Sequence, residues 1–99
     1  MTYCLDIDGV ICTNTYGEYY KAVPYKEVIE KVNRLYDRGE KIIFYTSRGE
    51  TSGRDLKVFT EVQLSKWGVK YHVLKMGKPS ADYYIDDRNK DVRFLLQRS

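Results

Sequence analysis

"YCLDIDGV", residues 3–10, runs an apolar stretch directly into two carboxylates and a glycine. Residues Thr2 to Ile7 mix β-branched, aromatic and aliphatic side chains, the composition of a strand covered on both faces, which reads as parallel and central. Side chains alternate along an extended segment, so Asp6 and Asp8 point the same way, while Gly9 permits a sharp exit. Eight aspartates in the chain produce a chance D-x-D about once in every two such sequences, so the pair alone says little. Its place at the end of a central strand says more. Two carboxylates held there repel each other unless a cation sits between them.

The same ending occurs twice more. "KIIFYT" from Lys41 is a second buried strand that runs into Ser47, Arg48 and Gly49, and "DYYIDDR" is a strand that runs into Asp86 and Asp87. "YHVL", residues 71–74, makes a fourth. Between the strands, "PYKEVIEKVNRLYDRG" sets Val28, Val32, Leu35 and Tyr36 at helical spacing, opens with Pro24 near a first-turn position and stops at Gly39. A second helix is expected from Arg54 to Trp67, with Leu56, Phe59 and Trp67 among its apolar positions, and a third from about Asn89 with Val92, Leu95 and Leu96. Strand, helix, strand, helix, strand, strand, helix is the alternation of an α/β sheet, whose ligands gather beyond the carboxyl ends of the strands. All three polar endings lie there. "CTNTYGEYYKAV" interrupts the first crossover, and its aromatics around Gly17 predict a small hairpin beside that edge, with Tyr16, Tyr19 and Tyr20 as a flap.

Composition sets the bounds. Ninety-nine residues suit one domain spanning 1–99, and 42% hydrophobic with 31% charged residues is globular, without repeats or an apolar run long enough to span a bilayer. No leader pattern precedes the first strand, so a cytoplasmic protein without membrane attachment is expected. Cys4 and Cys12, eight apart with no His or further Cys at ligand spacing, read as reduced packing residues. The net charge of +3 comes from 17 basic and 14 acidic side chains spread along the chain, a weak bias toward anionic ligands that falls short of a nucleic-acid footprint.

Four or five carboxylates at neighbouring strand ends (Asp6, Asp8, Asp86, Asp87 and Asp91) form an all-oxygen environment that favours a hard ion such as Mg²⁺. Asp87 or Arg88 as cap of the last helix, with Asp91 in its first turn, is the plain structural alternative and is compatible with the first. Thr46, Ser47 and Arg48 offer hydroxyl and main-chain donors to an oxyanion, although Ser47 also suits a helix N-cap. Lys78, in "MGKPSADYY", gains interest only from this company.

In order and local setting, "LDIDGV", "IIFYTSRG", "GKP" and "YYIDDRNKD" resemble the four signature motifs of the haloacid dehalogenase (HAD) superfamily, spread from residue 3 to residue 91. The resemblance implies a small Rossmann-like core of about four mostly parallel strands flanked by helices, without a cap domain, as in the capless phosphatases of capsular and surface polysaccharide biosynthesis. It implies that Asp6 is a nucleophile forming an aspartyl-phosphate and that Asp8 protonates the leaving alkoxide and later deprotonates water. Thr46 would hold the transferring phosphoryl oxygen, Lys78 would neutralise the intermediate, and Ser47 and Arg48 would bind phosphate. Asp6, the main-chain carbonyl of Asp8 and Asp87 would ligate Mg²⁺, supported by Asp86 and Asp91. Lys78 stands only eight residues before Asp86, so Lys75 is a credible substitute. The expected substrate is a small sugar or polyol phosphate, with the flap, a second subunit of a homo-oligomer or the substrate itself closing the site. Two other readings remain: a polynucleotide-end phosphatase with Arg48 as phosphate clamp, and a receiver-like phosphoacceptor module, which would lack an acid/base two residues beyond the nucleophile.

Overall fold

The computed structural model describes residues 1–50, 52–76, 83–85 and 95–96, with the backbone alone for Tyr83 and Tyr84. Four strands, β1 (Thr2–Asp6), β2 (Lys41–Tyr45), β3 (Val73–Lys75) and β4 (Tyr83–Ile85), form one sheet in the order β3-β2-β1-β4. Every pairing is parallel, with Asp6 opposite Tyr45, Tyr45 opposite Lys75, and Leu5 opposite Ile85. The carboxyl ends of all four strands therefore share one edge. Thr46 extends the ladder one step further by donating its N–H to the Lys75 carbonyl at 3.1 Å.

Alternation explains how a five-residue strand is buried twice over. Tyr3 and Leu5 of β1, with Ile42 and Phe44 of β2, face the main core, whereas Cys4, Ile43 and Tyr45 face a smaller cluster with Val73 on the other side. Helix α1 (Lys26–Asp37) brings Val28, Ile29, Val32 and Leu35 to the main core, and α2 (Lys57–Lys66) brings Leu64 to the same face. That shared face follows from topology. β1, β2 and β3 are successive neighbours, and two right-handed crossovers stepping in one direction leave their helices on one side.

Boundaries differ from expectation for local reasons. Helix α1 starts after Tyr25 because Pro24 is taken up by an antiparallel bridge to Cys12, flanked by Thr13 N–H to Val23 O at 2.9 Å and Tyr25 N–H to Ile11 O at 2.8 Å. This bridge is all that exists of the expected hairpin: residues 14–22 form a loop with a left-handed turn at Tyr16 and Gly17 and a 3₁₀ turn over Tyr19–Lys21. Helix α2 starts at Lys57 rather than Arg54, because the chain ahead of it is used in a turn in which Gly53 N–H bonds to Gly49 O at 2.8 Å. Phe59, expected in the core, is 38% exposed, while Leu56 is buried and Trp67 packs at the core's margin. Strand β3 begins at Val73 rather than Tyr71, since His72 bonds to Ile42 with both its backbone N–H (2.9 Å) and its ring Nδ1 (3.0 Å) and stacks on Tyr36. Of the expected third helix, Leu95 and Leu96 have helical backbone and Leu95 is fully buried; its remainder lies outside the described residues.

Candidate active site

Beyond β1 the chain turns sharply. Gly9 adopts φ 85° and donates its N–H to Cys12 O at 2.9 Å, and Val10 and Ile11 both donate to Ile7 O, so the loop is closed by its own backbone. Asp6 accepts the Ile7 N–H on Oδ1 at 2.7 Å. Asp6 and Asp8 then line one side of a cleft of about 560 Å³. Ser47 and Gly49 after β2 line a second side, Asn14, Tyr16, Gly17 and Tyr19 of the interrupting loop a third, and Ser52, Arg54 and Leu56 the remainder. The expected flap is thus beside the site as a loop rather than a hairpin. Tyr16, 90% exposed and held at φ 53°, stands at its rim.

Arg48 holds a different place from the one expected. Its side chain is 0% exposed and grips Asp8 with two parallel bonds, Nε to Oδ2 at 2.9 Å and Nη2 to Oδ1 at 2.8 Å, while the Asp8 side chain retains 16% exposure. Nη1 donates to Gln63 Oε1 at 2.7 Å and to Thr60 Oγ1 at 3.3 Å, and the Tyr19 ring covers the guanidinium at 4.5 Å. The planar fork is thereby occupied along its edges and on one face, the environment in which arginine cannot be exchanged for lysine. Arg48 does not line the cleft, and its guanidinium is committed to the second aspartate. The Cys12 thiol lies 3.7 Å from Asp8 Oδ1 and 3.6 Å from Ile7 O; burial, and secondarily the Asp8 charge, push it up to about 12.

Thr46 is buried, and its Oγ1 accepts the Arg48 N–H at 3.1 Å, which sets the path of the loop carrying exposed Ser47 into the cleft. Gly49 is required here. At φ 88° a side chain is strained, and a Cβ would collide with the Arg54 carbonyl oxygen. Lys75 ends β3 exposed and outside the cleft lining. Lys78, Asp86, Asp87 and Asp91 lie outside the described residues. Ile85, whose successors in the sequence are Asp86 and Asp87, pairs with Leu5, the residue before Asp6.

Among the described residues no group of three potential ligands surrounds a cation position. The donors that are described fit a hard divalent ion in kind: Asp6 and Asp8 both bring oxygen to the cleft, with the Asp8 carboxylate bound to Arg48. Sequence reading missed Gln63, Thr60 and Tyr19 as partners of Arg48, and Asn14, Ser52, Arg54 and Leu56 as cleft residues. The available signal was α2 itself, "KVFTEVQLSK", which exposes Val58, Phe59 and Val62 and buries Thr60. A helix that turns hydroxyl and amide groups inward has a polar partner inside.

The parallel order β3-β2-β1-β4, with the acidic pair at and just beyond the end of central β1, is an α/β fold compatible with a HAD-like core. A solved structure of a structural-genomics target from Vibrio cholerae is similar over 100% of this chain and 90% of its own, at 25% identity and a TM-score of 0.76. The D,D-heptose 1,7-bisphosphate phosphatase from B. bronchiseptica, solved with magnesium and phosphate, is similar over 82% of this chain at 17% identity and a TM-score of 0.58. This chain matches 51% of that enzyme's length. No family model and no curated protein matches the chain. Among the described residues no helix is long and apolar enough to cross a membrane.

Proposed function

We propose that this protein is a Mg²⁺-dependent phosphomonoesterase that hydrolyses a small sugar or polyol phosphate through an aspartyl-phosphate. The observation that carries the reading is the pair Asp6 and Asp8 opening into one cleft, with Asp8 oriented by a buried arginine. A merely structural acidic turn has no need of a fully desolvated guanidinium behind it, because burying that charge is costly unless it is put to use. Asp6, the Asp8 carbonyl and Asp87 would hold Mg²⁺, which would supply charge neutralisation between the nucleophile and the phosphate. Asp6 attacks phosphorus in line and the ester oxygen leaves; Asp8 gives that oxygen a proton, then takes one from the water that cleaves the acyl phosphate. Ser47 holds a phosphoryl oxygen, with buried Thr46 fixing the loop that carries it, and Lys78 neutralises the intermediate. Asn14, Tyr16, Ser52 and Arg54 bring amide, phenol, hydroxyl and guanidinium groups to the cleft, donors and acceptors suited to a hydroxyl-rich ligand. Surface-polysaccharide precursor synthesis, a cytoplasmic location and self-association that closes the open cleft belong to the same reading, the last tested by native mass spectrometry.

The polynucleotide-end alternative relied on Arg48 as a clamp and takes no support from an arginine turned away from the cleft. The receiver-like alternative has no use for the held Asp8. Asp6→Asn is expected to abolish hydrolysis of p-nitrophenyl phosphate while the protein unfolds at an unchanged temperature; turnover by this variant would overturn the assignment.

A further inference from the structure

We propose that Gln63 is a positioning residue for Asp8, acting through Arg48 and tying the orientation of that carboxylate to the flap residue Tyr19; the proposal rests on the phosphatase reading. Gln63 stands on α2, outside the cleft lining, and borders a separate groove of about 350 Å³ with Tyr20, Phe59, Val62 and Trp67. Its amide nevertheless bridges two functional segments: Oε1 accepts from Arg48 Nη1 at 2.7 Å and Nε2 donates to the Tyr19 carbonyl at 2.8 Å. Partners of opposite polarity decide which amide atom faces which, since a flipped amide would set N–H against guanidinium and oxygen against oxygen.

The guanidinium is rigid and planar, so holding Nη1 fixes where Nε and Nη2 point, and those two atoms fix the plane of the Asp8 carboxylate. Tyr19 enters twice, with its ring over the guanidinium and its carbonyl on Gln63. A ligand that moves the loop over residues 14–22 therefore moves both supports of Arg48 together. Asp8 must present one oxygen to the leaving group while both accept from Arg48, so a small shift of Arg48 decides which oxygen is turned to the cleft. Thr60, at 3.3 Å, is too long a contact to hold Nη1 alone.

The test compares Gln63→Met, which removes both bonds, with Gln63→Glu, which keeps the acceptor for Arg48 and removes the donor to Tyr19. In the phosphorylation step, followed as first-turnover release of the leaving group, Gln63→Met is expected to change the rate less than threefold with p-nitrophenyl phosphate, whose leaving group needs little protonation; with phenyl phosphate, which needs the acid, that rate falls about ten- to hundredfold. Gln63→Glu is expected to recover much of the phenyl phosphate rate. Equal losses on both esters, or no loss on either, would overturn the proposal. Asp8→Asn run alongside separates the two claims: if its first-turnover release of the leaving group shows no dependence on the ester, the acid reading fails, whatever Gln63 does. The Arg48 Nε–H resonance in ¹⁵N NMR supplies a readout independent of turnover, expected to be protected from exchange in the wild type and exposed in Gln63→Met; unchanged protection would equally refute the positioning role.

Discussion

Arg48→Met removes the guanidinium but keeps an unbranched apolar stem to pack beneath Tyr19, so it isolates the charge from the volume. Four hydrogen bonds are lost, two of them to a carboxylate. Removing one partner of a buried ion pair costs about 3–5 kcal/mol, because the other charge is stranded. Asp8 keeps 16% side-chain exposure and part of its hydration, which places the expectation at the lower end, about 3 kcal/mol. For a domain of this size each kcal/mol moves Tm by about 4–8 °C, so a fall of about 12–24 °C is expected by circular dichroism. The sharper test is a double-mutant cycle. Asp8→Asn on the Arg48→Met background removes the stranded charge, and the double variant is expected to be more stable than the sum of the single losses by about 2 kcal/mol. An exposed pair would contribute about 0–1 kcal/mol and give additive effects. A fall in Tm below about 4 °C, together with additivity to about 0.5 kcal/mol, would refute the claim that a buried arginine positions the second aspartate.

Gly49→Ala is expected to destabilise by more than the ~1–2 kcal/mol of its left-handed backbone, since the new Cβ also displaces the Arg54 carbonyl. Gly39→Ala, with φ 91° and open space around it, pays the backbone cost alone; equal urea midpoints for the two variants would remove the close approach. Cys4 and Cys12 are both buried, so 5,5′-dithiobis(2-nitrobenzoate) at pH 8 is expected to find no fast-reacting thiol in the native protein and both in urea. The Cys12 thiol, moved from 9.0 to about 12 chiefly by burial, keeps its proton in the folded state while the unfolded chain releases it. Its contribution is fully present below pH 9.0 and is lost as pH rises toward about 12, which denaturant titrations across that window measure. Chelation with EDTA is expected to halt hydrolysis, and added Mg²⁺ to restore it; full rates in chelator would exclude the metal from the reaction.

The sheet was legible because its signal is redundant. A five-residue strand such as Thr2–Asp6 that is apolar on both faces has few places to go except the middle of a parallel sheet, and Val28, Val32 and Leu35 repeat the argument at helical spacing. Asp6, the last residue of β1, could be placed at the strand's end for the same reason, whereas Asp8 lies two residues beyond it, in the turn closed by Gly9 and Cys12, and reaches the cleft from there. Arg48 could not be placed. Its partners come from 40 positions earlier (Asp8) and 15 later (Gln63), and no local rule says whether a guanidinium at a strand end reaches outward to a ligand or inward to a neighbour. Phe59 failed likewise, since an apolar side chain in a helix is ordinarily core, and only the inward turn of Thr60 and Gln63 reverses the faces of α2.

That reversal connects the fold to the chemistry. Had α2 buried Val58, Phe59 and Val62, no acceptor would face Arg48 from the helix, and the guanidinium would be desolvated with Asp8 as its only anionic or amide partner. Burial of so large a cation with one carboxylate is a poor exchange for its hydration. Adding an amide, a hydroxyl and an aromatic face meets the remaining donors, at the expense of leaving three apolar side chains in water. Thr60 and Gln63 join the buried Leu64 on an inward face whose polar members hold the arginine that orients the Asp8 carboxylate at the mouth of the cleft.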